Sequence, residues 1–255
     1  MIGDITLDQL ITQIGWPAIL VIARVMGIFS ILPVFGDTII PVRFRAAMGV
    51  SFGIAFAVFL SPQGTITHLT FPVTALITEI LVGVSIGLGF RLMVHAIQTA
   101  GAIAAQSFAL SQIAGALNNE PLPAVGYFML LSSLSLLLAL GFGENLVALV
   151  AQSFQIWPTG FIPNGGQLVA IFLPLVAFSF SLALKLAIPF CTVSLLYNVI
   201  LGAANKVMPQ LMVMLVGAPV GMLAILGVLA IAGPLIAGIW VKTVFSMLDL
   251  TWVKQ

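Results

Sequence analysis

Residues 101–123 read GAIAAQSFALSQIAGALNNEPLP, and the character of this stretch sets the class of the chain around it. Gln106, Ser107, Ser111 and Gln112 are interleaved with Phe108, Leu110 and Ile113, and the run closes on Asn118, Asn119, Glu120 and Pro121. It is too polar and too rich in small residues for a helix facing lipid, yet too apolar for a solvated loop. Backbone of that kind at membrane depth persists only inside protein or against a water-filled path, because the bilayer core has no water to satisfy a freed N–H or C=O. The expectation is a helical membrane protein that holds this segment across or beside such a path.

Composition agrees. Of 255 residues, 61% are hydrophobic and 6% charged, whereas soluble domains carry roughly 25% charged residues. That places the chain in the membrane class. A net charge of +1 gives no electrostatic footprint for nucleic acid or an acidic substrate. The single cysteine, Cys191, forms no internal disulfide. The opening MIGDITLDQLITQ is acidic where a signal peptide is basic, and no small-residue cleavage site follows, so the first apolar segment is expected to be retained.

Outward from residues 101–123, apolar helical sequence begins at Val73 and meets no breaker until Gly115. One helix of that extent measures about 60 Å, twice a bilayer core, so it is expected to bend near His95 to Gly101 or to project beyond the membrane. Upstream, Ile14 to Leu32 is long enough to span. Residues 33–45, PVFGDTIIPVRFR, form a Pro/Gly-punctuated turn, and Ala46 to Leu60 is a short second run. Downstream, Ala124 to Val150 is a span with Glu144 near its end, and residues 157–166, WPTGFIPNGG, form a loop. Leu168 to Leu201 is interrupted by Pro174, Lys185 and Pro189, residues 202–210 break it, and Leu211 to Trp240 carries Pro219 and Pro234. The count is about six long, partly kinked hydrophobic helices forming one domain over residues 1–255. Positive charge at Arg43 and Arg45 and again at Lys242 and Lys254 places both ends of a six-span serpentine against the positive-inside rule, which disfavours a simple up-and-down arrangement.

Catalytic chemistry has little to work with. His68 and His95 stand far apart, and no His, Cys and carboxylate set has metal-ligand spacing. Residues 83–90, GVSIGLGF, look superficially like a dinucleotide loop, but no strand precedes them, and small residues at that spacing serve close helix packing. The chain is expected to be no enzyme, with no catalytic, metal or cofactor site. Arg24, Glu144 and Lys185 fall within apolar segments, where each costs about 2.5–3.5 kcal/mol at the centre of a lipid-facing helix. Arg24, near mid-segment, requires a partner. Glu144, close to a segment end and flanked by glycine, reads as a packing or interfacial charge. Glu79 and Arg91 read as interfacial anchors at opposite ends of one segment. The prolines remove backbone donors that only protein-packed helices re-satisfy. Met208, Met212, Met214 and Met222 make either apolar filler or a deformable lining.

Several ordered motifs carry a resemblance. Arg24, Pro33, Phe35, Gly36, Pro41, Arg43 and Arg45 form the pattern R-x8-P-x-F-G-x4-P-x-R-x-R. Glu79, Gly83, Gly87, Gly89 and Phe90 follow as E-x3-G-x3-G-x-G-F, then Gln98, Gly101 and Gln106. The loop SFQIWPTG at 153–160 precedes ALKLAIPF at 183–190, Asn198, Gly202, NKVMPQ at 205–210 and Gly217-Ala218-Pro219. In collinear order over nearly the whole chain, this series resembles the FliR/SctT family of type III export-gate proteins. The chain differs from the family's pattern at Ser107-Phe108, at Glu120-Pro121, at Gly143-Glu144-Asn145 and at Met212.

The resemblance implies a structural, non-enzymatic subunit of an all-α membrane assembly, with helical hairpins wound into a hetero-oligomeric export gate. It implies partners: FliP-like and FliQ-like subunits, a FlhB-like protein, unfolded secreted substrates and membrane lipid, at the inner membrane within the flagellar basal body. It further implies that the mid-chain segment plugs the pore, which here places Gln106, Phe108, Leu110, Ile113, Leu117, Asn119 and Glu120 in the plug. Arg24, Pro41, Arg43, Arg45, Glu144, Lys185, Pro189, Pro209 and Gln210 are the candidate structural and assembly residues. The alternative from another class is a small secondary transporter using Arg24, Glu144 and Lys185 for ion coupling. That alternative expects matched broken helices in two related halves, and no match for the first half is found.

Overall fold

The computed structural model describes residues 15–33, 41–59, 72–109, 124–160, 163–207 and 213–253. Among them the chain forms seven α-helices and a final turn of 3-10 helix, with no strand. They are α1 (Trp16–Ile31), α2 (Val42–Phe59), α3 (Pro72–Ala109), α4 (Ala124–Ala139), α5 (Phe142–Ile156), α6 (Gly165–Val207) and α7 (Val213–Met247), followed by Thr251–Val253. The candidate plug positions Leu110, Ile113, Leu117, Asn119 and Glu120, and the assembly candidates Pro209 and Gln210, lie outside the described residues.

Three stretches are by themselves long and apolar enough to cross a membrane: Val73–Phe108, Gly165–Val207 and Pro219–Met247. The segment expected either to bend near residues 95–101 or to project beyond the membrane is one unbroken helix of 38 residues, about 57 Å at 1.5 Å per residue. Likewise α6 runs unbroken through Pro174 and Pro189 for 43 residues. Its start is fixed locally: Asn164 Oδ1 accepts the Gly166 N–H at 3.3 Å and Gln167 Oε1 accepts the Asn164 N–H at 3.0 Å. This reciprocal capping box satisfies two N–H groups that have no partner within the helix.

One expectation is corrected. Ala124 to Val150 is two helices, broken where Gly141 takes φ 85, a left-handed conformation that glycine adopts without steric penalty. Among the described residues helix α1 covers Trp16–Ile31, within the stretch expected to span.

The helices contribute to two compact units that alternate along the sequence. The first comprises Met1–Leu92, Phe142–Leu175 and Met247–Gln255; the second comprises Met93–Gly141 and Val176–Ser246. In the first, α1 and α3 cross at glycine. A Cβ on Gly27 would stand 2.8 Å from the Ile80 carbonyl oxygen, and one on Gly83 would fall inside contact distance of the Arg24 carbonyl oxygen. Helix α2 packs on α1 through Gly53 against Ile22 and a Phe29–Phe52 stack of 5.0 Å between centroids. The end of the chain returns to α3: Trp252 donates Nε1–H to the Met247 carbonyl at 3.0 Å, and its ring covers Gly89. In the second unit, Gly101 of α3 meets Gly126 of α4 backbone to backbone. Fully buried Trp240 of α7 donates Nε1–H to the Met93 carbonyl at 2.7 Å.

Candidate functional site

Two polar constellations stand out in this apolar chain, one in each unit. In the first unit Arg24 is fully buried and Glu79 is 1% exposed. Arg24 Nε donates to Glu79 Oε2 at 2.6 Å, and Nη1 donates to the carbonyls of Ser153 at 3.0 Å and Trp157 at 2.7 Å. The guanidinium carbon lies 4.0 Å from the centroid of the Phe154 ring. The other carboxylate oxygen accepts the Gly160 N–H at 2.8 Å. A buried charge is tolerable only when paired and hydrogen-bonded; the two charges pair with each other, while Nη2 of Arg24 is left without a hydrogen-bond partner among the described residues. The same contacts hold the end of α5 and the turn that follows it against α1 and α3.

Glu79 is therefore no interfacial anchor, which corrects the sequence expectation. Its position near the start of a long apolar helix suggested a side chain reaching for headgroups. The glycine crossing one turn further on instead brings α3 close enough to α1 for a direct ion pair.

The second constellation lies where α3 ends, immediately before residues 110–123. Ser107 Oγ turns back to the Ile103 carbonyl at 2.7 Å and lies 3.7 Å from Cys191 Sγ on α6. Asn198 Nδ2, also on α6, donates to the Ser107 carbonyl at 3.5 Å, a long and weak bond. The buried Phe108 ring sits 6.0 Å from the Tyr197 ring. Tyr197 in turn donates its hydroxyl to the Gly217 carbonyl on α7. Within this unit, one tyrosine ties the end of α3 to α6 and to the first turns of α7.

Of the other sequence candidates, Gln106 is exposed near the end of α3. Pro41 and Arg43 are exposed and Arg45 is half-buried at the start of α2. Glu144 is exposed in the first turn of α5, where a negative charge meets the positive end of the helix dipole. Lys185 is exposed and Pro189 half-buried on α6. The contacts of Arg24 are with Glu79, Ser153, Phe154 and Trp157, and neither Glu144 nor Lys185 is among them. Sequence reasoning missed the roles of Glu79, Tyr197 and Trp252. For Glu79 a signal existed: few acids lie within the apolar segments, and a mid-segment arginine demands one of them.

A cleft of about 580 Å³ opens between α4 and α7, lined by residues including Phe128, Ser132, Ser133, Leu226 and Pro234. It has no titratable side chain in its wall and offers packing surface, without an acid or base.

Large parts of the long helices are uncovered. Within their apolar windows only 28% of α6 and 17% of α7 is buried, against 50% for α3. Leu173, Leu184, Leu195 and Ile200 of α6 and Met222, Leu223, Ile231 and Leu235 of α7 are all exposed.

The sequence model of the family described as "Bacterial export proteins, family 1" matches residues 16–247. Among curated proteins, the chain is 30% identical over 241 residues to the flagellar biosynthetic protein FliR of Caulobacter vibrioides, covering 91% of this chain and 94% of that one. It is 30% identical over 217 residues to the FliR of Aquifex aeolicus, with 84% and 83% covered. To the FliR of Escherichia coli it is 26% identical over 226 residues, with 87% and 84% covered.

Proposed function

The chain belongs to family 1 of the bacterial export proteins, and from that membership we propose that it is a structural subunit of the gate through which flagellar proteins are exported. It is an all-α membrane protein of the flagellar export apparatus. The observation that carries the finer reading is the bare surface of α6 and α7, helices that also contain Pro174, Pro189, Pro219 and Pro234. Each internal proline removes a donor and frees a carbonyl one turn earlier. Lipid cannot satisfy those carbonyls, whereas neighbouring helices can. The uncovered faces therefore suit protein neighbours, which we take to be FliP-like and FliQ-like subunits and a FlhB-like protein. The assembly would sit at the inner membrane in the basal body and conduct unfolded substrates. Residues 106–121 would close the conduit.

Two measurements test this. Purified from its native membrane, the chain is expected in a hetero-oligomer; a monomer that transports a solute in liposomes would overturn the gate in favour of the transporter. Deleting Leu110 to Asn119 is expected to leave assembly intact and to make the membrane leaky to ions and small solutes. Unchanged permeability in an assembled deletion variant would sink the plug.

A further inference from the structure

Within the second unit, α4 and α7 are each tied to α3, the first where Gly126 meets Gly101 and the second where Trp240 bonds the Met93 carbonyl. The cleft of about 580 Å³ lies between them. Two polar groups in its walls are left open. Ser85, Ser107, Ser153, Ser179 and Ser194 each return the hydroxyl to a carbonyl of the preceding turn. Ser133 does not: it is 1% exposed, and its Oγ has no hydrogen-bond partner among the described residues. On the α7 wall, Pro234 has no N–H to offer the carbonyl of Ala230, and both residues line the cleft. An unpaired hydroxyl and a freed carbonyl in an apolar enclosure are both costly. One group that accepts a hydrogen bond and donates another answers both.

The dimensions of the cleft select its occupant. The walls, residues 128–136 of α4 and 226–237 of α7, extend for about 12–16 Å at 1.5 Å per residue. Spread over that length, the volume is a channel about 7 Å wide, narrower than the roughly 10–12 Å of a helix with its side chains. A hydrocarbon chain enters it and a helix does not. The walls hold no titratable side chain, so the occupant carries no charge. Residues 226–237 fall about the middle of Pro219–Met247, a stretch long and apolar enough to cross a membrane, far from the interface that anchors phospholipid headgroups. We propose that the α4/α7 cleft is a binding site for a neutral lipid alcohol, one hydroxyl on one hydrocarbon chain. Its hydroxyl accepts the Ser133 Oγ–H and donates to the Ala230 carbonyl, while its chain lies along the apolar walls. At that depth the hydroxyl has no water, so the two protein groups are what hold it. The site stands on the membrane character of the chain and on these two open groups, and it is independent of the gate and of the plug.

The test uses native membranes carrying the complete export complex, labelled with a diazirine-bearing 1-dodecanol; the complex is then purified and its labelled peptides are mapped. The expected result is label concentrated on residues 128–136 and 226–237, displaced by 1-dodecanol and not by dodecane. Label displaced equally by both, or spread over the exposed faces of α6 and α7, reports bulk lipid alone and overturns the proposal. An assembled complex with no label in the cleft overturns it too, because a neighbouring subunit then fills the site. Ser133→Ala is expected to lower labelling per complex about fivefold, the loss of one neutral hydrogen bond. Complex yield by co-purification should stay unchanged, since the hydroxyl has no partner among the described residues. Undiminished labelling of Ser133→Ala overturns the proposal. Gly233→Leu blocks the cleft by bulk. A Cβ at Gly233 has no neighbour nearer than Leu229 at 3.7 Å, an ordinary contact, so α7 accepts the change. Label on both walls is expected to disappear with yield kept, and label that persists overturns the proposal.

Discussion

Gly83→Ala is a one-methyl change that probes the packing of the first unit. A Cβ at this position would fall inside contact distance of the Arg24 carbonyl oxygen and 3.0 Å from the Ile28 nitrogen. Both neighbours are backbone, so no rotamer change relieves the overlap and α1 and α3 must separate. Overpacking of this kind costs about 1–3 kcal/mol, and the upper half applies where backbone meets backbone. Separation also stretches the Arg24–Glu79 bond, 2.6 Å in the native chain; a charge-assisted bond contributes about 1.5–3 kcal/mol, of which a partial lengthening forfeits about 1 kcal/mol. Alanine in place of glycine returns about 1 kcal/mol of helix propensity. The net loss is about 2–3 kcal/mol, or roughly a 30- to 150-fold fall in the folded-to-unfolded ratio. Denaturation in bicelles followed by tryptophan fluorescence reads it, since Trp157 is buried in the same unit. The control is Gly238→Ala, inside α7 with nothing within 4 Å of the added carbon, where the propensity gain alone should stabilise by about 0.5–1 kcal/mol. If Gly83→Ala is as stable as Gly238→Ala, the close crossing is refuted.

Glu79→Leu leaves Arg24 buried with no counter-charge and is expected to destabilise by about 3–5 kcal/mol. The double variant Arg24→Met/Glu79→Leu should recover part of that loss, measured by the same unfolding midpoints, because it removes the unpaired charge but leaves the Trp157 carbonyl and the Gly160 N–H without their side-chain partners. Trp252→Ala is expected to cost about 2 kcal/mol, below the 3–5 kcal/mol of a fully buried tryptophan, since the ring is half-buried. Gly89→Ala should be harmful in the native chain and nearly neutral once Trp252 is alanine; equal penalties in both backgrounds would show that the ring does not lie on Gly89.

What the sequence revealed and what it withheld divide along a physical line. Low charge and the ordered motifs from Arg24 to Pro219 were sufficient for the class and the family, because both are properties of composition and chain order. Local breaks were partly visible: the GFG at residues 141–143 marked the place where Gly141 ends α4, yet the unbroken greasiness around it suggested a single span. Pro174 and Pro189 misled in the other direction. A proline inside a helix frees a carbonyl and crowds the preceding turn, yet a membrane helix continues through it where neighbouring groups re-satisfy that carbonyl. The pairings were the least legible. Arg24 and Glu79 are 55 residues apart, and nothing in a linear pattern states which acid faces a given base. Residues 101–123 were legible as an anomaly of composition. The contacts of Ser107 with Cys191 and of Phe108 with Tyr197 depend on helices that meet from distant parts of the chain.

Both polar constellations accompany glycines at a helix contact, and the physics of the membrane explains the association. Apolar side chains gain little by leaving lipid for one another, so helix pairs there depend on close packing and on hydrogen bonds between helices. Glycine provides the first at Gly27/Gly83 and at Gly217/Gly221, where the neighbour is the α1 backbone in one case and the Tyr197 phenol in the other. The Arg24–Glu79 pair and the Tyr197 hydroxyl provide the second. The two ties differ in what they permit. An ion pair with carbonyl and N–H partners on three further residues has no alternative arrangement of similar energy, which suits a fixed joint. A single neutral hydroxyl on a single carbonyl is the weaker tie, about 0.5–1.5 kcal/mol. The stronger tie holds the turn after α5, and the weaker one joins α6 to the first turns of α7.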